Sequence, residues 1–138
     1  MQFGLHGMGN AGNPASASTD PVSSDAIYEL RRYQLKLGYH TVPRFLECYA
    51  AGLPSKLDAP GTDASTSLVS LLYTDLGPLN EVIELWRHGG GTQAMEASRT
   101  GARNAPQWRA AIAEIASLAV SFRSTIHKPV GGGLSKWT

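Results

Sequence analysis

The sequence predicts one α+β domain whose elements follow the order strand, helix, strand, strand, helix, strand. The chain has 138 residues, which is the usual size of a single domain. Four segments are rich in the β-branched and aromatic residues typical of strands, and two regions between them repeat apolar residues at helical spacing. Glycine and proline separate these segments, so each is expected to form its own element.

The first strand is predicted over residues 27–35, and the first helix follows Gly38. Both faces of this strand carry charged as well as apolar residues, so it must border polar surroundings. In the helix, apolar residues recur every three or four positions, at Val42, Phe45, Leu46, Tyr49, Ala50 and Leu53. Gly52 and Pro54 are expected to end the helix, because neither favours its continuation.

Residues 67–74 and 80–88 are predicted to form a β-hairpin, because five residues rich in turn formers join two β-type segments. The last strand is predicted over residues 119–127, where apolar and polar side chains alternate.

The second helical region is predicted in two pieces. The first covers residues 93 to about 100 and breaks near Gly101. The second begins with Asn104 as its N-cap and Pro106 in its first turn, and it buries Trp108.

This order of elements is the βαββαβ pattern of ferredoxin-like folds, a four-stranded antiparallel sheet with the helices on one face. The other face would expose apolar side chains, and such a face is usually covered by a second sheet. The pattern therefore predicts a homodimer. Trp86, Trp108 and Phe122 are expected to fill the core or the dimer interface.

Composition excludes several classes of function. The net charge is +1, from 12 Lys+Arg against 11 Asp+Glu, without a basic block, so a nucleic-acid-binding surface is not expected. Cys48 is the only cysteine, which excludes an intrachain disulfide. No segment has the roughly 20 apolar residues of a transmembrane helix. The absence of Lys and Arg before Arg31 argues against a secretory signal and against an uncleaved mitochondrial presequence.

Both ends of the chain differ in composition from the part between them. Residues 1–25 are small, polar and rich in glycine, which predicts a flexible arm, and residues 129–138 form a glycine-rich tail. The domain itself is predicted over residues 26–128.

The sequence YELRRYQLK at residues 28–36, followed by Gly38, resembles the opening signature of the NIPSNAP family. The family's hairpin and the helical segment after it are matched by Tyr73, Gly77, LNEV at 79–82, LW at 85–86, Arg99, Arg103 and Trp108. Leu37 departs from the family, which commonly has proline there, and so does the glycine run at 89–91. The resemblance implies a dimeric α/β barrel of two ferredoxin-like sheets. In eukaryotes it implies association with mitochondria, vesicle handling and protein partners.

No catalytic or metal-binding motif stands out. Gly7, Gly9 and Gly12 have dinucleotide-loop spacing, but no strand precedes them. No two histidines have the helical spacing of metal ligands, so neither a metal nor a cofactor is expected. One polar cluster has two interpretations: its charges form ion pairs that set the strand register, as Arg31 with Glu84 would, or it meets on the sheet face that lines the dimer cavity and binds an anionic or haem-like ligand. Its members are Arg31, Glu84, His88, Arg123 and His127.

Two functions follow. The first is a non-catalytic NIPSNAP-like interaction or accessory subunit that dimerises or docks in a larger assembly, which the resemblance places in mitochondria. The second is a small-molecule enzyme or carrier of the dimeric α/β barrel class, similar to monooxygenases or haem-related proteins. By sequence alone the chain is otherwise expected in the cytoplasm and not among secreted proteins.

Overall fold

The structure, a computed structural model, describes residues 25–130. The predicted arm over 1–25, apart from its last residue, and most of the predicted tail lie outside the described residues. Four strands and three helices follow the predicted order. They are β1 (Ile27–Leu35), α1 (Thr41–Leu57), β2 (Thr66–Tyr73), β3 (Glu81–His88), α2 (Gly91–Arg103), α3 (Pro106–Leu118) and β4 (Ala119–His127).

The strands form one antiparallel sheet in the order β2-β3-β1-β4. This order places β1 and β3 in the middle and the hairpin partner β2 and the last strand β4 at the edges. The predicted ferredoxin-like α+β fold is confirmed, and the predicted bounds of β1 and β4 agree with the structure.

The prediction that Gly52 and Pro54 end the first helix was wrong, because α1 continues to Leu57. Proline removes one backbone donor, and a single lost hydrogen bond does not stop a helix that is packed on a neighbour. The backbone N–H of Asp58 still donates to the Pro54 carbonyl at 2.9 Å. This additional turn brings Lys56 into the protein interior.

The prediction that Asn104 is the N-cap of the last helix was also wrong. Asn104 follows the last residue of α2, and Ala105 stands at the N-cap of α3. The Asn104 side chain donates back to the Thr100 carbonyl at 3.2 Å. The free N–H of Trp108, in the first turn of α3, donates instead to the Ser55 hydroxyl at 2.9 Å. A side chain from α1 thus provides the cap, so the start of α3 depends on tertiary contact.

Helices α1 and α3 approach closely where Gly52 faces Ala111. A Cβ atom added at Gly52 would lie 2.6 Å from the Ala111 Cβ and 3.1 Å from the Gln107 carbonyl oxygen. The glycine therefore stands where no larger residue fits, and it sets the distance between the two helices.

The sheet has two unlike faces. In β3, Val82, Glu84, Trp86 and His88 are buried beneath the helices, while the residues between them are half-buried on the opposite side. No described element packs against this opposite side, which we call the open face.

Among residues 25–130, no helix is both long and apolar enough to span a bilayer.

Candidate functional site

The five residues of the predicted ligand cluster do not lie on one face of the sheet. Arg31 and Glu84 are cross-strand partners in β1 and β3, and His88 lies on the same helix-facing side. Arg123 pairs with Arg32, and His127 pairs with Tyr28, so both lie on the open face. The prediction that the five meet was therefore wrong. Strand β1 carries charged residues on both faces, so the alternation of apolar and polar residues could not show which face Arg31 occupies.

The three aromatic residues predicted to fill the core or the dimer interface lie in two different places. Trp86 and Trp108 are buried in the core. Phe122 is 46% exposed on the helix-facing side of β4, where its ring lies 4.9 Å from that of Tyr33. None of the three was found on the open face.

Glu84 is the centre of the helix-facing site, and its side chain is completely buried (0% exposed). One carboxylate oxygen accepts from the Tyr49 hydroxyl at 2.8 Å and from the Trp86 indole N–H at 2.6 Å. The other oxygen lies 4.0 Å from Arg31 Nε and has no hydrogen bond within the described residues. Burial and the neighbouring carboxylate raise the pKa of Tyr49 and of Tyr33, so both phenols stay protonated.

A second buried acid, Glu29, lies beside this centre on β1. Its oxygens are 3.5 Å from Arg31 Nε, from Arg99 Nη2 and from His88 Nε2. Burial acts to raise the pKa of Glu29, but the His88 contact and the two arginines outweigh it, and the pKa is lowered. The Thr66 hydroxyl lies 2.9 Å from the other ring nitrogen of His88. This contact orients the imidazole toward the acid.

Lys56 is a member of the site that the sequence did not predict. Only 6% of the residue is exposed, and its Nζ lies 4.0 Å from the ring centroid of Trp86 and 4.7 Å from that of Trp108. Burial lowers the pKa of Lys56 to about 8, although the Glu84 carboxylate opposes this. The first helix was predicted to end at Pro54, before the turn that carries this lysine, so nothing in the local sequence indicated that Lys56 is buried.

The helices do not fully cover the edge strand β4, and several of its large side chains are exposed. A cleft lies between this strand and the helices. Its first part, the apolar cavity, has a volume of about 410 Å³. It is lined by Arg31, Tyr33, Ile112, Ile115, Ala116, Ala119, Val120, Ser121 and Phe122. Its second part, the basic cavity, has a volume of about 360 Å³. It is lined by Arg31, Lys56, Arg99, Ala102, Arg103, Trp108, Phe122 and Ser124.

The two cavities adjoin at Arg31 and Phe122, which line both of them. The Arg31 guanidinium carbon lies 4.9 Å from the centre of the Phe122 ring, so the two side chains form a common wall. This geometry suits noncovalent binding of a molecule with one polar and one apolar end. Within residues 25–130, no group of His, Cys, Asp and Glu has the arrangement of a metal site.

Replacing Glu84 by alanine is expected to lower the free energy of unfolding by about 3 kcal/mol. The change removes the acceptor of two buried hydrogen bonds and leaves Arg31 without its cross-strand acid. As a matched control, Glu81→Ala on the same strand removes the more exposed ion pair with Arg32 and should cost less than about 1 kcal/mol. Urea unfolding followed by circular dichroism would measure both. Equal losses would contradict a central role for Glu84.

Lys56 should make stability depend on pH in the alkaline range. Its folded pKa of about 8 lies below the 10.5 of an unperturbed lysine, so between these values the unfolded chain binds more protons. Stability then rises with pH, by about 2 kcal/mol between about pH 7 and about pH 10. In Lys56→Met this contribution should be absent. Urea unfolding of both proteins across the range gives the difference, and parallel pH curves would contradict the prediction.

Comparison with known proteins agrees with the fold and identifies the family. A NIPSNAP family protein from Agrobacterium tumefaciens superposes with a TM-score of 0.65 and 23% identity, covering 78% of this chain and 96% of that one. A NIPSNAP domain protein from Burkholderia xenovorans gives 0.64 and 25%, covering 77% and 96%. SnoaB, a cofactor-independent oxygenase from Streptomyces nogalater, is similar in fold only, with 0.55 and 12%, covering 77% and 94%.

No protein with curated function matches the chain. The NIPSNAP family profile matches residues 28–131, which include all three helices and all four strands except the first residue of β1. The chain is therefore a member of the NIPSNAP family.

Proposed function

We propose that this protein binds a small organic molecule in the cleft between β4 and the helices. The observation that carries the proposal is the pair of adjoining cavities, which meet at Arg31 and Phe122 above a buried polar cluster. Small-molecule sites are commonly concave and largely apolar, with a few polar groups that orient the ligand, and their volumes are roughly 300–1,000 Å³. Each cavity falls within this range.

The buried charges give independent support. Glu29 and Glu84 lie inside the protein close to Arg31, and burying such groups is costly compared with packing apolar residues of the same size. Perturbed titratable groups beside a cleft are typical of functional sites. Lys56, with its lowered pKa, lines the same cleft.

The proposal concerns binding, and it leaves a reaction open. SnoaB is a cofactor-independent oxygenase, so at least one protein of this fold is an enzyme that needs no cofactor. That comparison favours a small-molecule ligand here, as an enzyme or as a carrier. A haem-like ligand lacks support from the described residues, because His88 faces Glu29 and Thr66 and lines neither cavity, while His127 lies on the open face.

Filling the apolar cavity should weaken the binding of an apolar molecule. The fluorescent probe N-phenyl-1-naphthylamine, a neutral apolar molecule, is expected to bind the wild-type protein with increased emission. In Ala116→Phe, a new ring would occupy the cavity, and affinity should fall at least about tenfold. Ala110→Phe places the same ring on α3, in the groove facing α1, and should bind as the wild type does. Equal binding by both variants, or no binding by the wild type, would contradict the proposal.

A second candidate function is self-association through the open face. This face presents Leu72, 53% exposed, and the half-buried Leu30, Ile83 and Leu85, and no described element covers them. A second copy of the chain is the simplest partner, because two identical sheets can pack face to face around a twofold axis. This supports an interaction module. Its placement in a mitochondrial protein assembly stays a prediction from the family resemblance.

A charge on the open face should separate the two copies. Leu72→Glu is expected to convert a dimer into a monomer, since the apolar interface would have to bury one carboxylate from each copy. Leu76→Glu is the matched control: Leu76 lies in the turn between β2 and β3 and is 92% exposed. Its charge should leave the dimer intact. Size-exclusion chromatography with light scattering gives the masses, and a monomeric wild type would contradict the candidate.

A further inference from the structure

We infer that the ligand of the cleft is an aromatic carboxylate, with its carboxylate in the basic cavity and its rings in the apolar cavity. The inference rests on the proposed function and names the chemical class of its ligand. Four cations line the basic cavity, Arg31, Lys56, Arg99 and Arg103, and no carboxylate is among its lining residues. A cavity walled by positive charge on several sides attracts an anion.

The protein neutralises these cations only in part. Glu29 and Glu84 lie beneath the cavity and Glu96 lies 3.6 Å from Arg99, so three acids face four cations. Arg31 Nε is 3.5 Å from Glu29 and 4.0 Å from Glu84, and it makes no hydrogen bond with either. A guanidinium that is not held by hydrogen bonds to its neighbouring acids favours a carboxylate ligand, because its forked donors can bind a carboxylate through two parallel hydrogen bonds.

Lys56 adds to this deficit of negative charge. Its ammonium group lies between two indole rings, and among the described residues no carboxylate oxygen lies within ion-pair distance of it. Aromatic faces stabilise a cation, but they leave its three N–H donors without acceptors. A ligand carboxylate in the basic cavity would provide an acceptor.

The other half of the ligand is indicated by the apolar cavity. Its walls are mainly carbon, from Tyr33 and Phe122 on the sheet and from Ile112, Ile115 and Ala116 on α3. Aromatic rings stack favourably on tyrosine and phenylalanine, at about 0.5–1.5 kcal/mol beyond the effect of burial. Because Arg31 and Phe122 line both cavities, the carboxylate and the ring system would be directly connected.

A pair of probes of the same shape tests the charge. In isothermal titration at neutral pH, 2-naphthoate should bind the wild-type protein at least about tenfold more tightly than 2-naphthamide, its neutral analogue. Arg103→Gln, a change of an exposed side chain, should weaken 2-naphthoate severalfold and leave 2-naphthamide unchanged. Arg123→Gln on the open face is the matched control and should bind both probes as the wild type does.

The outcomes separate this inference from the proposed function. If both naphthalene probes bind equally and displace N-phenyl-1-naphthylamine, the cleft binds small molecules but does not select anions, and the inference is overturned. The same holds if the neutral probes bind and 2-naphthoate does not. If no probe binds and Ala116→Phe changes nothing, the proposed function fails as well. An equal loss for Arg103→Gln and Arg123→Gln would indicate nonspecific attraction by net charge and would also overturn the inference.

Discussion

The buried carboxylate of Glu84 is the constraint on which the interior of this protein depends. A charged group without access to water is tolerated only when partners surround it. The Tyr49 hydroxyl and the Trp86 indole donate to one oxygen, and Arg31 lies across the strand pair from the other. These contacts tie α1 to the two central strands, so one acid connects the helical layer with the sheet.

The same requirement determines the character of the cleft. Pairing Glu84 and Glu29 brings Arg31 to the helix-facing side of β1 and Arg99 to α2, and Lys56 near the end of α1 lies over the Trp86 ring beside them. Because β4 is only partly covered, those cations border open space between the sheet and the helices. Arg31, Lys56 and Arg99 therefore belong both to the buried cluster and to the lining of the proposed binding site. This is why stability and ligand affinity should respond to overlapping substitutions.

The two faces of the sheet carry different features. The helix-facing side holds the polar cluster and the cleft, and the open face exposes the apolar side chains on which the proposed self-association rests. Strand alternation keeps them apart, since neighbouring residues point to opposite sides. Phe122 and Arg123 illustrate this division, because the first lines the cleft and the second lies on the open face. Self-association would thus leave the cleft accessible.

The order of elements, the strand bounds and the family could be recognised from the sequence by itself, because apolar spacing and turn residues are local signals. Hydrophobic periodicity could not assign a face to the charged residues of β1, so Arg31 and Arg123 were wrongly placed together. Strand register decided that question. Nor could local signals show that α1 passes Pro54, that Ser55 caps α3, or that Lys56 enters the site. Those three features arise from contact between α1, α3 and the sheet, and only the tertiary structure supplies such contacts.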